Sequence, residues 1–218
     1  MSIKTIYLFL YNLLQFLGWF HFFIKVSKFL IISKTIQGIY NETHFILQFC
    51  QYGAILEIIH SILQIVKSNI FATAIQILGR CAIVAILQYF DNSVSIGYLL
   101  LSFAWSLIEI IRYSYYLFNL YKNEKKTFEI PYIHIWCRYS FFIILYPIGV
   151  AGEMITIWNA RKDLEKYKLV NKYTYADLVY PIYILYIPSL IFLFSYLFKQ
   201  RDKVLSKLDK EKIVKKQE

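Results

Sequence analysis

Apolar residues in this chain gather into blocks of about 20, the length that crosses a hydrocarbon core about 30 Å thick. Six blocks are read as spans: Ile6–Val26, Phe45–Val66, Ile70–Phe90, Val94–Leu117, Tyr132–Trp158 and Leu178–Phe198. The pattern predicts an all-α integral membrane protein, a bundle of six transmembrane helices over residues 1–198, followed by a basic cytosolic tail at 199–218 that is a candidate for disorder. The third span is the weakest, because Gln76, Arg80 and Gln88 interrupt it. Ser27–Tyr40 is partly apolar but is cut by Lys28, Lys34 and Gly38, so it reads as interfacial. The first block does not read as a cleavable signal peptide: it is long, only Lys4 flanks it, and no small-residue cleavage site follows.

Composition agrees. Of 218 residues, 58% are hydrophobic and 17% charged, more apolar than a soluble domain of this size requires. An even number of spans puts both termini on one side. Outside the spans that side carries thirteen Lys and Arg and the other carries eight, which by the positive-inside rule places both termini in the cytosol. The net charge of +10 suits anionic lipid or an anionic substrate headgroup. No basic groove with interleaved aromatics lies outside the spans, so nucleic-acid binding is not expected.

Smaller signals add little. Lys215 and Lys216 are positioned like a dilysine retrieval signal of endoplasmic reticulum membrane proteins, an address read by a receptor. Their plainer reading is a solvated basic tail. Asn41-Glu42-Thr43 is a glycosylation sequon in an expected lumenal loop, close to the membrane. Cys50, Cys81 and Cys137 form no close pair, so neither a zinc site nor a disulfide framework is expected.

Polar residues inside the spans carry the chemistry. Converted to depth at 1.5 Å per residue, Glu57, His60, Gln76, Arg80, Glu109, Arg112 and Arg138 fall in one layer, roughly 7–15 Å below the cytosolic boundary. Glu57/His60 and Glu109/Arg112 are three apart and Gln76/Arg80 four apart, so each pair shares a helical face. The layer reads either as a structural belt of ion pairs or as a polar vestibule for a phosphate-bearing ligand. Glu57-x-x-His60 occurs once, whereas a di-iron bundle needs two such motifs and two further glutamates, so no metal is expected.

Deeper lies Tyr146-Pro147-Ile148-Gly149-Val150-Ala151-Gly152-Glu153. A glutamate in such an apolar run is costly and marks a functional or paired site. Tyr146 and Glu153 are seven residues apart, about 700° of helical rotation, so they share one face about 10.5 Å apart along the axis. A phenol and a carboxylic acid held there can act as a proton-transfer pair. Gly149 and Gly152 admit a close neighbour, and Pro147 can kink the helix.

The motif Tyr146-Pro147-x-Gly149-x-x-x-Glu153, preceded by Arg138-Tyr139, resembles the signature of the 3-hydroxyacyl-CoA dehydratases of very-long-chain fatty acid elongation. The segments Tyr11-Asn12 to Trp19, Leu56-Glu57-x-x-His60, Gln76-Ile77-x-x-x-Arg80 and Trp105-Ser106-x-x-Glu109-Ile110-Ile111-Arg112-Tyr113 resemble it too, in the same order. The resemblance implies six spans in the endoplasmic reticulum with cytosolic termini, and dehydration of a 3-hydroxyacyl-CoA to a trans-2-enoyl-CoA with Tyr146 and Glu153 catalytic. It implies no cofactor. The implied partners are the elongase condensing enzyme, the 3-ketoacyl-CoA reductase and the enoyl-CoA reductase, besides membrane lipid and the acyl-CoA itself, whose phosphates are expected near Lys122, Lys125, Lys126 or Arg138. In this reading Glu153 is the base that removes the alpha proton and Tyr146 the donor to the leaving hydroxyl, the reverse assignment staying open. No Cys-x5-Arg occurs, so phosphatase chemistry has no support. The competing functions are a non-catalytic scaffold of the elongation enzymes and, less favoured for want of an internal repeat, a small transporter.

Overall fold

A computed structural model describes residues 2–90, 94–170 and 172–214. Among the described residues eight α-helices follow one another: α1 Ile3–Ser33, α2 Ile39–Gly53, α3 Ile55–Ile62, α4 Ile70–Tyr89, α5 Ile96–Glu124, α6 Tyr132–Ser140, α7 Phe142–Leu164 and α8 Val179–Val214. With α2 and α3 in line, and α6 and α7 in line, they make six helices long and apolar enough to cross a membrane.

The span boundaries move outward. α1 is continuous to Ser33 and ends where Lys34 takes a left-handed conformation, so Ser27–Ser33 is helix and not a separate interfacial stretch. Lys28 is tolerated there because it is exposed and its stem can lie along the lipid while the charge reaches water. The sequon is likewise helical. Asn41 lies in the first turn of α2, and the Thr43 hydroxyl is fully buried, bonded to the Ile39 carbonyl and to the Tyr98 hydroxyl at 2.6 Å. The third span, weakest by its interruptions, forms an unbroken α4 apolar enough to cross a membrane, and Asn69 caps it by accepting from the Ala72 N–H. At the other end, α8 runs through residue 199 to Val214, where disorder is expected from charge alone. Lys215 and Lys216 lie outside the described residues.

Helix α5 is the central post, packed between α1 and α7. Trp105, Tyr98, Leu101 and Tyr113 from α5 meet Trp19 and Phe22 of α1, Leu47 of α2 and Ile157 of α7 in the core. The outer faces of α1 and α8 are apolar and exposed (Leu10, Leu14, Leu17; Ile184, Ile187, Ile191), as surfaces that meet lipid must be.

Two spans break along their length, the first served by polar side chains and the second by backbone bonds. At Gly53–Ala54 the Gln15 amide donates to the Cys50 carbonyl at 3.2 Å and the Tyr11 hydroxyl to the Gly53 carbonyl at 3.3 Å, both reaching from α1. In lipid such carbonyls have no water to turn to. The fifth span bends at Phe141, whose carbonyl accepts from both Ile144 and Leu145, and then continues helically through Pro147. The irregular turn thus sits ahead of the proline and not at it.

Candidate active site

Four charged residues from three helices form one chain. Arg112 grips Glu57 with two guanidinium nitrogens at 2.6 and 2.9 Å and donates through Nε to Glu109 at 2.6 Å. The other oxygen of Glu109 accepts from Arg80 at 2.6 Å. Arg80 also lies over the indole of Trp105, 5.0 Å from its centroid. Glu57 further accepts from the Tyr113 and Tyr11 hydroxyls. Arg80 and Glu109 are 8% and 4% exposed, so these charges survive by pairing. Of the seven residues that depth placed in one layer, the structure joins Glu57, Arg80, Glu109 and Arg112 in ion pairs. Charge-assisted, doubly bonded pairs of this kind are about twice as strong as neutral hydrogen bonds.

The other residues of the layer stand apart from this chain. His60 sits 2.7 Å from the Tyr7 hydroxyl and packs edge-on against Tyr11, lining the cavity described below. Gln76 lines the same cavity. Arg138 reaches the Tyr116 hydroxyl at 3.4 Å and stacks over the Tyr116 and Tyr139 rings, without a carboxylate among the described residues.

A cavity of 790 Å³ opens among α1, α3, α4, α5, α7 and α8, with Gln51 of α2 and Arg138 of α6 also at its wall. Lys4, Lys67, Asn123 and Arg138 line one end; the ion-pair chain lines its middle; Tyr146, Gly149 and Glu153 line the other end. The polar layer and the deep pair thus line one space, which is within the size range of small-molecule sites. Lys122, Lys125 and Lys126, expected beside the entrance, do not line it; Lys4 and Lys67 do. Those two were hidden from sequence reasoning because each is a lone lysine at a span end, brought to the mouth only by the bundle.

Glu153 is held from two sides. Trp105 Nε1 on α5 donates to Oε1 at 3.1 Å, and the Tyr186 hydroxyl on α8 donates to Oε2 at 3.0 Å. Both donors come from other helices, so the carboxylate is aimed by the bundle and not by its own backbone. Tyr186 had no sequence signal: among 20 tyrosines nothing sets it apart until α8 packs beside α7. Tyr146, two turns away, packs its ring edge-on against Phe194 with centroids 5.1 Å apart and lines the same cavity.

The crossing of α5 and α7 fixes this register. A Cβ on Gly152 would lie 2.6 Å from the Leu101 nitrogen and 2.7 Å from the Gly97 carbonyl oxygen, and one on Gly97 would lie 2.7 Å from the Gly152 carbonyl oxygen. The two backbones touch there, and only glycine on both helices permits it. Next to that contact, Glu153 meets Trp105. Gly149, by contrast, faces Ala104 and Trp105 at ordinary van der Waals distance.

Residues 51–207 match the family model described as protein tyrosine phosphatase-like protein, PTPLA. Across 97% of its length this chain is 34% identical to the whole of the Caenorhabditis elegans very-long-chain (3R)-3-hydroxyacyl-CoA dehydratase hpo-8. It is 33% identical to human very-long-chain (3R)-3-hydroxyacyl-CoA dehydratase 2, over 96% of this chain and 85% of that protein. A probable dehydratase of the same name from Schizosaccharomyces pombe is 32% identical over 93% of this chain and 94% of its own. No solved structure matches. Matching over nearly the full length of proteins so named, with six spans and the motif segments in order, the chain belongs to the protein tyrosine phosphatase-like (PTPLA) family.

Proposed function

We infer that this protein dehydrates a very-long-chain (3R)-3-hydroxyacyl-CoA to the trans-2-enoyl-CoA, the activity for which its relatives are named. The observation that carries the reading is the single cavity that runs from a basic mouth to Tyr146 and Glu153. A coenzyme thioester needs such a shape, with cations for its phosphates and a water-poor end for the reacting carbons.

The chemistry follows from the groups at the deep end. Glu153 takes the proton from C2. The electron pair of that C–H bond forms the C2=C3 double bond, the C3–O bond breaks, and the hydroxyl leaves as water with the proton of Tyr146. Proton return from Glu153 to Tyr146, through the departing water or the cavity, resets the pair. Glu153 receives two donors from Trp105 and Tyr186, an arrangement suited to a group that takes a proton. Tyr146, a phenol, carries one to give. Gly149 leaves room between them for the substrate, and the chain Glu57–Arg112–Glu109–Arg80 walls the passage. Arg138, Lys4 and Lys67 supply cations for the phosphates at the mouth. The protein crosses the membrane several times. The endoplasmic reticulum as its membrane, cytosolic termini, and association with the condensing enzyme and the two reductases of elongation complete the reading; the excess of Lys and Arg on the terminal side supports the orientation.

The test is conversion of a long-chain 3-hydroxyacyl-CoA by purified protein in detergent. Tyr146→Phe and Glu153→Gln are each expected to lower turnover about 10²–10⁴-fold, the usual worth of a positioned acid or base, while eluting and melting like the wild type. A wild type that is folded, binds the elongation enzymes and forms no enoyl product would instead establish a scaffold.

A further inference from the structure

A second cavity of 200 Å³ lies between α4 and α8 and meets the first at the reacting pair: Tyr146, Glu153, Gln76, Arg80 and Leu193 line both. Apart from Tyr186 and Ser189, the residues it does not share are apolar or glycine. Two of them, Gly79 on α4 and Leu185 on α8, are exposed on the outer face of the bundle, where the surface meets lipid. The helices touch through the Phe71 and Phe192 rings, centroids 5.5 Å apart, near the start of α4. Gly79 lies eight residues further along α4, about 12 Å deeper. A Cβ on Gly79 would meet nothing within 4 Å.

Two spaces of opposite character therefore share one wall. The large one is polar and basic toward its mouth, whereas the small one is apolar and reaches the lipid. A substrate reacting at C2 and C3 projects a charged thioester arm one way and a hydrocarbon chain the other. At 200 Å³ the slot is smaller than the roughly 300–1,000 Å³ of a pocket that encloses a drug-sized ligand, so a long chain must pass through it and not end in it. We propose that the α4–α8 slot is a lateral window through which the acyl chain of the substrate extends from the reacting pair into the bilayer, with Gly79 and Leu185 as its sill. The proposal rests on the dehydratase reading.

Gly79→Phe tests it from one wall and Leu185→Trp from the other, with Leu78→Phe, exposed on α4 but outside the slot, as control. The open space at Gly79 lets the larger side chain in without a backbone clash. Each protein is purified in detergent, checked by size exclusion and melting, and assayed on two 3-hydroxyacyl-CoAs, one short enough to end inside the slot and one long enough to cross a leaflet. Each window variant is expected to lose about tenfold or more in kcat/KM on the long substrate relative to the short one, in line with what a misfit in an apolar site costs, and the control to keep the wild-type ratio. Unchanged ratios in both window variants overturn the window, as does an equal loss on both substrates by folded protein. A wild type inactive on both substrates overturns the dehydratase reading itself, a result separable from the other two.

Discussion

Glu153 and Glu109 are both carboxylates inside the bundle, yet each is held for a different purpose. Glu153 receives neutral donors, Trp105 and Tyr186, and faces open space. Removing one donor leaves the carboxylate in place but less well aimed. Tyr186→Phe is expected to lower kcat by about 10–100-fold, the equivalent of one hydrogen bond to a charged group at about 1.5–3 kcal/mol, with little change in KM; steady-state kinetics on the purified protein reads this. Glu109 sits between Arg80 and Arg112. Glu109→Leu strips Arg80 of its carboxylate and is expected to destabilise the fold by about 3–5 kcal/mol. Arg80→Leu should cost less, because Glu109 keeps Arg112. Thermal melts of the two variants in the same detergent decide it, and equal melting points would contradict the linear chain of pairs.

At the scale of elements, the α5–α7 crossing at Gly97 and Gly152 decides where Glu153 stands. Gly152→Ala places a methyl against two backbones and is expected to lower stability by about 1–3 kcal/mol and to depress activity further by moving Glu153 off Trp105. Gly149→Ala, with 3.5 Å or more to its neighbours, should fold and melt like the wild type. Melting and turnover of the pair of variants make the comparison. This contrast was half legible in the sequence. Gly152 stood out because it precedes a glutamate in an apolar run. Gly97 carried no signal, since one glycine at a span start has many uses and its partner is 55 positions away. The charged chain was more legible: a charge in lipid must pair, and helical rise converts position into depth, so Glu57, Arg80, Glu109 and Arg112 could be grouped before any coordinates. Which oxygen meets which guanidinium could not, because that depends on helix rotation. Tyr186 was missed for a related reason, as its bond to Glu153 depends on packing between helices and not on local pattern.

Along one path the molecule presents a basic end with Lys4, Lys67 and Arg138, a chain of ion pairs, the Tyr146–Glu153 pair proposed to act as acid and base, and the α4–α8 slot. Charges at the mouth act on capture more than on chemistry. Arg138→Ala, and separately Lys4→Ala with Lys67→Ala, are expected to raise KM for the acyl-CoA several-fold and leave kcat near wild type, the effect shrinking as salt screens the cations over a Debye length of about 8–10 Å. Kinetics at two ionic strengths would reveal it, and an unchanged KM at low salt would remove these residues from the entrance.

The ion-pair chain also has a history within each molecule. Its members leave the ribosome at different times: Glu57 on α3, Arg80 on α4, then Glu109 and Arg112 on α5. Arg80 precedes its carboxylate by 29 residues, which at 5–20 residues per second is a delay of about 1.5–6 s. Glu57 waits for Arg112 across 55 residues, about twice as long. For those seconds a nascent span carries an unpaired charge whose insertion costs about 2.5–3.5 kcal/mol. Pairing with α5 removes that cost, so α3 and α4 are expected to settle fully in the lipid only once α5 has joined them.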